Sequence, residues 1–228
     1  MVAGAPSGRS HLLLPISVLV SGEGTTLDAL AELSAAGRLP AKIVLVLSNR
    51  PGIGALDKAQ RRGLPSVVVP SRDAPVEAWA ERVTLELASR GTELVVLAGF
   101  LRILPSSWVE RWKGRVINIH PALLPRHGGL GMYGTHVHEA VLAAHETETG
   151  ATVHLVTSPV DAGPILAQRS VPVFPSDTPE TLRARLHPIE VALLAETIAR
   201  FAEGTLPLPY PVRDEEDSRR RGTPAPPE

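Results

Sequence analysis

Two polar residues, Asn118 and His120, stand at alternate positions in a short apolar stretch that ends at Pro121. Because alternate residues of a strand share a face, both side chains are predicted to point the same way at the C-terminal end of a strand. An amide N–H group can stabilise a developing oxyanion, and an imidazole can stabilise the same charge or move a proton. The pair favours acyl transfer, although a buried, hydrogen-bonded histidine before a proline turn would give the same pattern.

Asp161 is a carboxylate that could act on this histidine, and it lies in a loop at residues 159–164 between two apolar stretches. Beside His120 it would favour the imidazolium and raise the pKa of the histidine, and it could order a water or accept a proton from an attacking amine. The alternative is that Asp161 only shapes the turn. The sequence alone does not bring the two side chains together.

A glycine-rich turn at residues 22–26, Gly-Glu-Gly-Thr-Thr, follows a β-branched stretch and precedes an apolar-periodic segment. A strand, turn and helix in this order present backbone N–H groups and the positive end of the helix dipole, so a phosphate is the expected ligand. The dinucleotide-binding pattern is incomplete, because Leu27 replaces its third glycine and the second strand runs into Arg50 without an acidic residue. A tight turn that needs glycine for a positive φ is the alternative.

The composition argues against several classes of function. The chain has 23 Lys and Arg against 24 Asp and Glu, so no excess charge would draw it to nucleic acid or to a membrane. It has no cysteine, which rules out disulfides and thiolate chemistry. Six of its eight histidines fall between positions 120 and 154, but their spacing does not match a metal-binding helix, and we interpret them as scattered surface or structural histidines. We expect no metal, no nucleic-acid or membrane partner, and a cytoplasmic location; the oligomeric state stays open, with a homodimer as one option.

The elements that must position these residues alternate between strand and helix. Strands are predicted at residues 16–20, 42–47, 66–69, 93–98 and 115–119, with helices between the first four. This alternation predicts an α/β fold, a single doubly wound, Rossmann-like domain with a mostly parallel sheet. Two later stretches, 151–157 and 165–174, are predicted to add an antiparallel strand in the C-terminal half, before a long helix at 178–203. The domain is expected to span residues 16–208, with disordered extensions at 1–15 and 209–228.

Five motifs occur in the order found in one known family. They are Ser-Gly-Glu-Gly-Thr at 21–25, Ala-Gly-Phe-Leu-Arg-Ile-Leu at 98–104, Asn-Ile-His-Pro-Ala-Leu-Leu-Pro at 118–125, Gly-Ala-Thr-Val-His at 150–154 and Asp-Ala-Gly-Pro-Ile at 161–165. With them the chain resembles the phosphoribosylglycinamide formyltransferases, the folate-dependent GAR transformylases of purine synthesis. Each motif alone is common, whereas the combination, from about residue 16 to residue 208, is specific.

The resemblance implies roles for individual residues. The ribonucleotide substrate would be held by Gly24, Thr25 and Thr26 at its phosphate and by Gly99, Pro121 and Glu190 elsewhere. The folate would contact Arg72 through its acidic tail, and its pterin would lie among Leu101, Arg102, Ile103, Leu104 and the loop at 157–161, next to Asn118. The family more often has Ser-Asn where this chain has Thr25-Thr26.

The resemblance also implies a mechanism in which Asn118, His120 and Asp161 form the catalytic set. The amine of 5'-phosphoribosylglycinamide would attack the formyl carbon of the co-substrate 10-formyltetrahydrofolate directly, without an acyl-enzyme and without a metal. Asn118 and protonated His120 would stabilise the oxyanion, while Asp161 would hold that protonation and order a water. One segment, residues 127–134, is longer and richer in glycine than in the family pattern and is predicted to be a flexible flap.

Three other functions share part of this pattern. Methionyl-tRNA formyltransferase has the same Leu-Leu-Pro-Arg segment, here 123–126, but carries an additional C-terminal domain for tRNA. Formyltetrahydrofolate hydrolase would share Asn118, His120 and Asp161, but normally has an N-terminal regulatory domain. A non-catalytic module that senses a phosphorylated ligand through the turn at 22–26 would need no polar pair at the strand end. Formyl transfer to the ribonucleotide is the function we favour.

Overall fold

The structure is a computed structural model that describes residues 13–72 and 74–211, so most of the two expected disordered extensions lies outside the described residues. Among the described residues no helix has the length and apolar character needed to cross a membrane. Along the chain the elements are β1 (Leu14–Val20), α1 (Thr25–Ala35), β2 (Ala41–Ser48), α2 (Gly54–Arg61), β3 (Ser66–Val68), α3 (Val76–Ser89), β4 (Leu94–Leu97), α4 (Ser106–Arg111), β5 (Val116–His120), α5 (Thr135–Ala143), β6 (Glu148–Leu155), β7 (Ile165–Pro172) and α6 (Pro179–Ala202).

The strands form one seven-stranded sheet in the order β3-β2-β1-β4-β5-β6-β7. The first five of these are parallel to one another, and β6 runs antiparallel to both of its neighbours. Since the strand order reverses between β1 and β4, the C-terminal ends of these two strands form the switch point at which open α/β sheets bind ligands. The predicted doubly wound α/β fold with an antiparallel strand in the C-terminal half is confirmed.

Successive residues of the central strands feed two hydrophobic cores, one on each face of the sheet. In β4, Leu94 and Val96 belong to the first core, and Val95 and Leu97 to the second. A strand covered on both faces needs such an unbroken apolar run, because its side chains alternate between the faces. Helices α1, α2 and α6 cover the first face, and α3 and α4 cover the second.

Helix α6 joins the C-terminal part of the fold to the rest. It starts at a capping box in which Thr178 Oγ1 accepts from the Thr181 N–H and the Thr178 N–H donates to Thr181 Oγ1. Its first turns pack on α5 through Leu182 and Leu186, and its later turns join the first core. Glu190 therefore lies on the part of α6 between these two contacts.

The element bounds differ from the sequence-based expectation in several places. β6 spans Glu148–Leu155, whereas residues 151–157 were expected. β1 begins at Leu14, two residues before the expected domain start, and Leu14 is buried. Helix α4 was not predicted, although Pro105 followed by two serines is a start signal, and its Trp108 packs in the second core. Tyr210, expected in the disordered tail, packs against the first core and donates its backbone N–H to Gly114 O at 2.8 Å.

Candidate active site

The C-terminal ends of three neighbouring strands, β1, β4 and β5, lie along one edge of the sheet. β1 leads into the glycine turn, β4 is followed closely by Gly99, and β5 is followed directly by Pro121. The Ser21 N–H donates to Gly99 O at 3.1 Å, which joins the first two of these segments. The predicted substrate-binding residues Gly24, Gly99 and Pro121 thus follow adjacent strands.

Four polar side chains form a cluster at the end of β5. The antiparallel register places Asn118 opposite His154 of β6, and Asn118 Nδ2 lies 3.1 Å from His154 Nε2. Asp161, in the loop after β6, reaches both histidines: its Oδ1 lies 3.4 Å from His154 Nε2 and its Oδ2 lies 3.6 Å from His120 Nδ1. The side chains of the two histidines and of Asp161 are only 2% to 9% exposed. The fold therefore brings Asn118, His120 and Asp161 together, with His154 among them.

Backbone carbonyls define the hydrogen positions on both rings, because a carbonyl oxygen can only accept. His154 Nδ1 lies 2.9 Å from Leu155 O and so carries a hydrogen, whereas its Nε2 lies 3.1 Å from the Asn118 amide nitrogen and 3.4 Å from Asp161 Oδ1 and can accept from the first or donate to the second. Accepting from Asn118 uses one of its two amide hydrogens and leaves the other for a ligand. His120 Nε2 lies 2.8 Å from His127 O and likewise carries a hydrogen, so His120 Nδ1 is the nitrogen that faces Asp161.

The pKa of His120 is lowered from its ordinary value, whereas the sequence argument expected it to be raised. Burial of the ring is the largest cause, and the charge of Asp161 and the carbonyl of His127 oppose it without overcoming it. The expected effect of Asp161, which favours the imidazolium, is present, but burial outweighs it in the substrate-free molecule. The physical reason is that desolvation of a nearly closed site outweighs one carboxylate at 3.6 Å.

Asp161 remains ionised in this environment. Burial by itself would raise its pKa, but the contact with His154, the Gly129 N–H donated to Oδ2 at 3.0 Å and the nearby His120 together lower it. Its backbone has a φ of 57°, in the left-handed region that Asp tolerates better than most residues. A buried carboxylate is thus held as an anion between two imidazoles.

The turn after His120 is held by two side chains from the antiparallel strands. Thr152 of β6 lies opposite His120 in the register, donates its hydroxyl to Ala122 O at 2.6 Å and accepts from the Leu124 N–H at 3.1 Å. Gln168 of β7 donates to Leu124 O and to Thr152 Oγ1, each at 2.9 Å. Strands β6 and β7 therefore brace the polypeptide that leaves the catalytic end of β5.

The predicted phosphate-binding turn is built from backbone. Gly24 caps the start of α1 with φ 70° and ψ 35° and has no side chain to satisfy the first N–H groups of the helix. The Ala55 N–H, at the start of α2, donates to Gly22 O at 3.1 Å and fixes the turn from the other side. Thr25 is exposed and Thr26 half-buried, so their N–H groups and hydroxyls lie at a surface that an anion can reach.

Two segments predicted to contact the folate are joined by one chain of hydrogen bonds. The Leu101 N–H donates to Ser21 Oγ at 2.9 Å, Ser21 Oγ donates to Asn49 Oδ1 at 2.7 Å, and Asn49 Nδ2 donates to Ser71 Oγ at 3.2 Å, next to Arg72. Neither Ser21 nor Asn49 was singled out for this role; Ser21 directly follows β1 and Asn49 directly follows β2.

The other predicted folate contacts differ in exposure. Arg72, Leu101 and Ile103 are exposed and open to a ligand. Leu104 is buried in the second core, and the guanidinium of Arg102 lies 5.7 Å from the centre of the Trp79 ring. Leu104 therefore anchors the segment that carries Leu101 and Ile103 to the second core and is not itself open to a ligand.

Glu190 is half-buried on α6, and burial raises its pKa to about 7, with Arg183 acting in the opposite direction. A carboxyl group of this kind can accept a hydrogen bond as an anion or donate one as an acid near neutral pH. Within residues 13–72 and 74–211 no group of three or more His, Asp or Glu side chains is arranged to hold a metal ion.

His154 is the member of the cluster that sequence reasoning missed, because it was grouped with scattered structural histidines. The available signal was the alternation of Thr152 and His154 in a stretch predicted to pair antiparallel with the strand of Asn118 and His120. Without the register, His154 could have faced either side of the sheet.

A family model described as formyl transferase matches residues 14–198, from the start of β1 into α6. The chain is 42% identical over 194 residues to the trifunctional purine biosynthetic protein adenosine-3 of Drosophila pseudoobscura pseudoobscura; the match covers 84% of this chain but only 14% of that protein.

Shorter relatives match over most of their own length. The chain is 35% identical over 194 residues to phosphoribosylglycinamide formyltransferase of Haemophilus influenzae, which covers 85% of this chain and 89% of the relative. The solved structure of glycinamide ribonucleotide transformylase 1 from Symbiobacterium toebii matches with a TM-score of 0.82 and 34% identity, over 90% of this chain and 94% of that one. The range of the family model, residues 14–198, includes every strand of the sheet.

Proposed function

The chain belongs to the formyl transferase family, and from that premise we propose that it transfers the formyl group of 10-formyltetrahydrofolate to the amine of 5'-phosphoribosylglycinamide. The single observation that carries the proposal is the contact of Asp161 with both His120 and His154, beside Asn118, on the sheet edge that also holds the glycine turn. A buried carboxylate, an imidazole and an amide in one cluster suit a reaction in which an oxyanion forms and protons move.

The proposed substrates fit different parts of the edge. The phosphate of the ribonucleotide binds the N–H groups at the start of α1, with Thr25 and Thr26, while Gly99 and Pro121 line its path and Glu190 bonds its ribose hydroxyls. The folate lies against the exposed Leu101 and Ile103, with Arg102 nearby, and its acidic tail reaches Arg72. The amine and the formyl group then meet beside Asn118 and His120, and this orientation contributes to the rate as an effective molarity.

In the proposed reaction the amine nitrogen bonds to the formyl carbon, and the bond from that carbon to N10 of the folate breaks. The attack produces a tetrahedral carbon with a negative oxygen, to which Asn118 donates its free amide hydrogen. The amine loses one proton and N10 gains one, so the overall transfer needs no net acid or base. Asp161 orders the water through which that proton moves.

His120 changes its protonation during the step. Burial keeps the substrate-free imidazole neutral at neutral pH, because its pKa is lowered. A negative oxygen forming beside the ring favours the imidazolium, as Asp161 does, so the pKa of His120 rises as the charge develops. The ring takes up a proton when the oxyanion appears and releases it when the leaving nitrogen needs one.

The experiment is a folate-release assay with 10-formyltetrahydrofolate, run with and without the ribonucleotide. We expect deformylated folate to appear only when 5'-phosphoribosylglycinamide is present, together with the formylated ribonucleotide. Release without the ribonucleotide would instead indicate a formyltetrahydrofolate hydrolase, and release that requires methionyl-tRNA would indicate the tRNA enzyme. Binding of the ribonucleotide without any folate release would indicate a phosphorylated-ligand sensor.

The same assay tests two companion expectations. Prior dialysis against a chelator leaves the rate unchanged if, as we propose, no metal takes part. We also expect the reaction to run in the cytoplasm without nucleic acid or a membrane. A homodimer is the oligomeric state that we would test first, by light scattering.

A further inference from the structure

The first three residues of the glycine-rich segment contact both ionisable groups of the catalytic pair. The carbonyl of His127 accepts from His120 Nε2 at 2.8 Å, and the Gly129 N–H donates to Asp161 Oδ2 at 3.0 Å. Gly128 lies so close that a Cβ there would overlap the Leu124 side chain and lie 3.4 Å from Asp161 Cβ. This short stretch of backbone therefore contacts both His120 and Asp161.

His127 itself is anchored by its side chain. Its Nε2 lies 3.0 Å from Glu146 Oε1, while the other oxygen of Glu146 accepts from Arg126 at 2.7 Å. His127 has a φ of 54°, and it is one of only three non-glycine residues with a positive φ in the part of the chain that the structure describes, together with Asp161 and His145. A conformation that most residues avoid persists only where surrounding contacts hold it, and the Glu146 contact supplies one.

The contact with the His127 carbonyl determines which nitrogen of His120 can titrate. A carbonyl accepts and never donates, so Nε2 keeps its hydrogen in both protonation states while this bond is intact. The proton that comes and goes must then be on Nδ1, which faces Asp161 at 3.6 Å. Asp161 favours a positive charge on the ring, and His154 and His127 are close enough to oppose it.

We propose that His127 is a positioning residue for His120: its side-chain contact with Glu146 holds its carbonyl against His120 Nε2, so that Nδ1 is the nitrogen that exchanges the working proton. This inference deepens the proposed function and rests on it for its catalytic consequence. The ring orientation that it describes is a property of the substrate-free protein and can be measured without any assay.

The first test determines the tautomer of His120 by NMR. The full chain is labelled with 15N in its histidine rings and measured at a pH at which His120 is neutral. We expect the His120 signals to show a hydrogen on Nε2 and a bare Nδ1, with the resonances identified by their loss in His120→Asn. A hydrogen on Nδ1 in the wild-type protein would overturn the proposal, whatever the enzyme does.

The second test separates positioning from simple structural support. His127→Gly keeps the carbonyl and accepts a positive φ but loses the tie to Glu146, so we expect a mixture of His120 tautomers and a kcat about 10-fold lower, with little change in KM for the ribonucleotide. His127→Gln places its side-chain amide nitrogen about as far from the backbone as Nε2 of the histidine and can still bond Glu146, so it should keep kcat within about 3-fold of wild type. Arg126→Ala removes the other partner of Glu146 and should leave tautomer and kcat unchanged.

The outcomes are distinguishable from a failure of the proposed function. If His127→Gly keeps both the wild-type tautomer and the wild-type kcat, His127 does not position His120, even though formyl transfer stands. If the wild-type protein transfers no formyl group but shows the Nε2 hydrogen, the geometric inference holds and the proposed function fails. A loss in His127→Gln as large as in His127→Gly would also overturn the role of the Glu146 contact.

Discussion

The two ends of the ligand-binding edge are built in opposite ways. The glycine turn at 22–26 is a contiguous piece of backbone at the start of α1, and most of it is exposed or half-buried. The catalytic cluster is made of side chains from β5, β6 and the loop that carries Asp161, and its ionisable groups are nearly buried. The turn offers N–H groups that need only the correct local conformation. The cluster forms only if β5 and β6 pair in the correct register and the loop after β6 brings Asp161 back to the two histidines.

This difference predicts which kinetic constant a substitution at each end should change. A substitution in the cluster changes charge and proton positions at the reacting atoms, so its effect is expected in kcat. A substitution in the turn changes how the phosphate is held, so its effect is expected in KM for the ribonucleotide. The first three of the four predictions below test this division, and the fourth concerns the stability of the fold.

The largest effect is expected for His120→Ala. Removing the imidazole takes away a group that stabilises the oxyanion and accepts a proton, so kcat should fall at least about 100-fold while ribonucleotide affinity changes little. Steady-state kinetics and calorimetric binding of the ribonucleotide measure the two quantities. His136→Ala, at an exposed histidine of α5, is the matched control. Turnover close to that of the wild type would remove His120 from the mechanism.

Asp161→Asn should have a smaller effect of the same kind. The amide keeps the size of the side chain and tolerates the positive φ, but it loses the charge that favours the His120 imidazolium. We expect kcat to fall about 30-fold and the pKa of His120 to decrease further, which NMR titration of the ring would follow. Asp57→Asn, at an exposed carboxylate of α2, is the control. An increased pKa of His120 would contradict the assigned sign of the interaction.

Gly24→Ala should act on the other end of the edge. Gly24 has a φ of 70°, and a Cβ there would lie 2.5 Å from Ala55 Cβ, so the turn must shift. We expect KM for the ribonucleotide to rise about 10-fold, equivalent to about 1.4 kcal/mol, with kcat nearly unchanged. Gly37→Ala is a close control, because Gly37 has a φ of 68° and open space around its Cβ position. A fall in kcat with unchanged KM would contradict the expectation that the turn affects ribonucleotide binding and the cluster affects turnover.

The smallest effect concerns stability and leaves both ends in place. Burial lowers the pKa of His138, on α5, to about 4, with Arg183 adding to this, and its Nδ1 has no hydrogen-bond partner in the described structure. Between about pH 6.5 and pH 4 the unfolded chain binds a proton at this ring that the folded chain does not, so acidification destabilises the fold. From pH 7.5 to pH 6 this contribution amounts to ~1 kcal/mol of the free energy of unfolding.

His138→Gln should therefore flatten the pH dependence of the free energy of unfolding, measured in urea at pH 6 and pH 7.5. Glu190 acts with the opposite sign, because its pKa is raised to about 7 and its contribution to stability is lost as pH rises from about 4.5. Comparing the variant with the wild type cancels that contribution. His136→Gln, two residues away and exposed, should leave the slope unchanged, and an equal slope in His138→Gln would show that the buried ring is not the cause.

Much of the fold could be predicted because its signals are local. The apolar stretches of β1, β2 and β4 and the periodic helices between them indicate a parallel sheet, and the alternation of Asn118 and His120 places both on one face. Helix α4 was missed because six residues give too little periodicity to recognise. Asp161 was identified as a loop carboxylate, and its contact with His120 was expected only from the family resemblance, whereas its contact with His154 was not predicted.

By itself the sequence determined the doubly wound sheet, the glycine turn before α1 and the chemistry available at the end of β5, since each follows from the pattern of neighbouring residues. Only the tertiary structure decided that His154 joins the cluster, that the His127 carbonyl holds His120 Nε2, and that burial makes His120 neutral. These depend on the register between β5 and β6 and on how completely water is excluded. Both arise from residues that are distant along the chain, and a local pattern does not encode them.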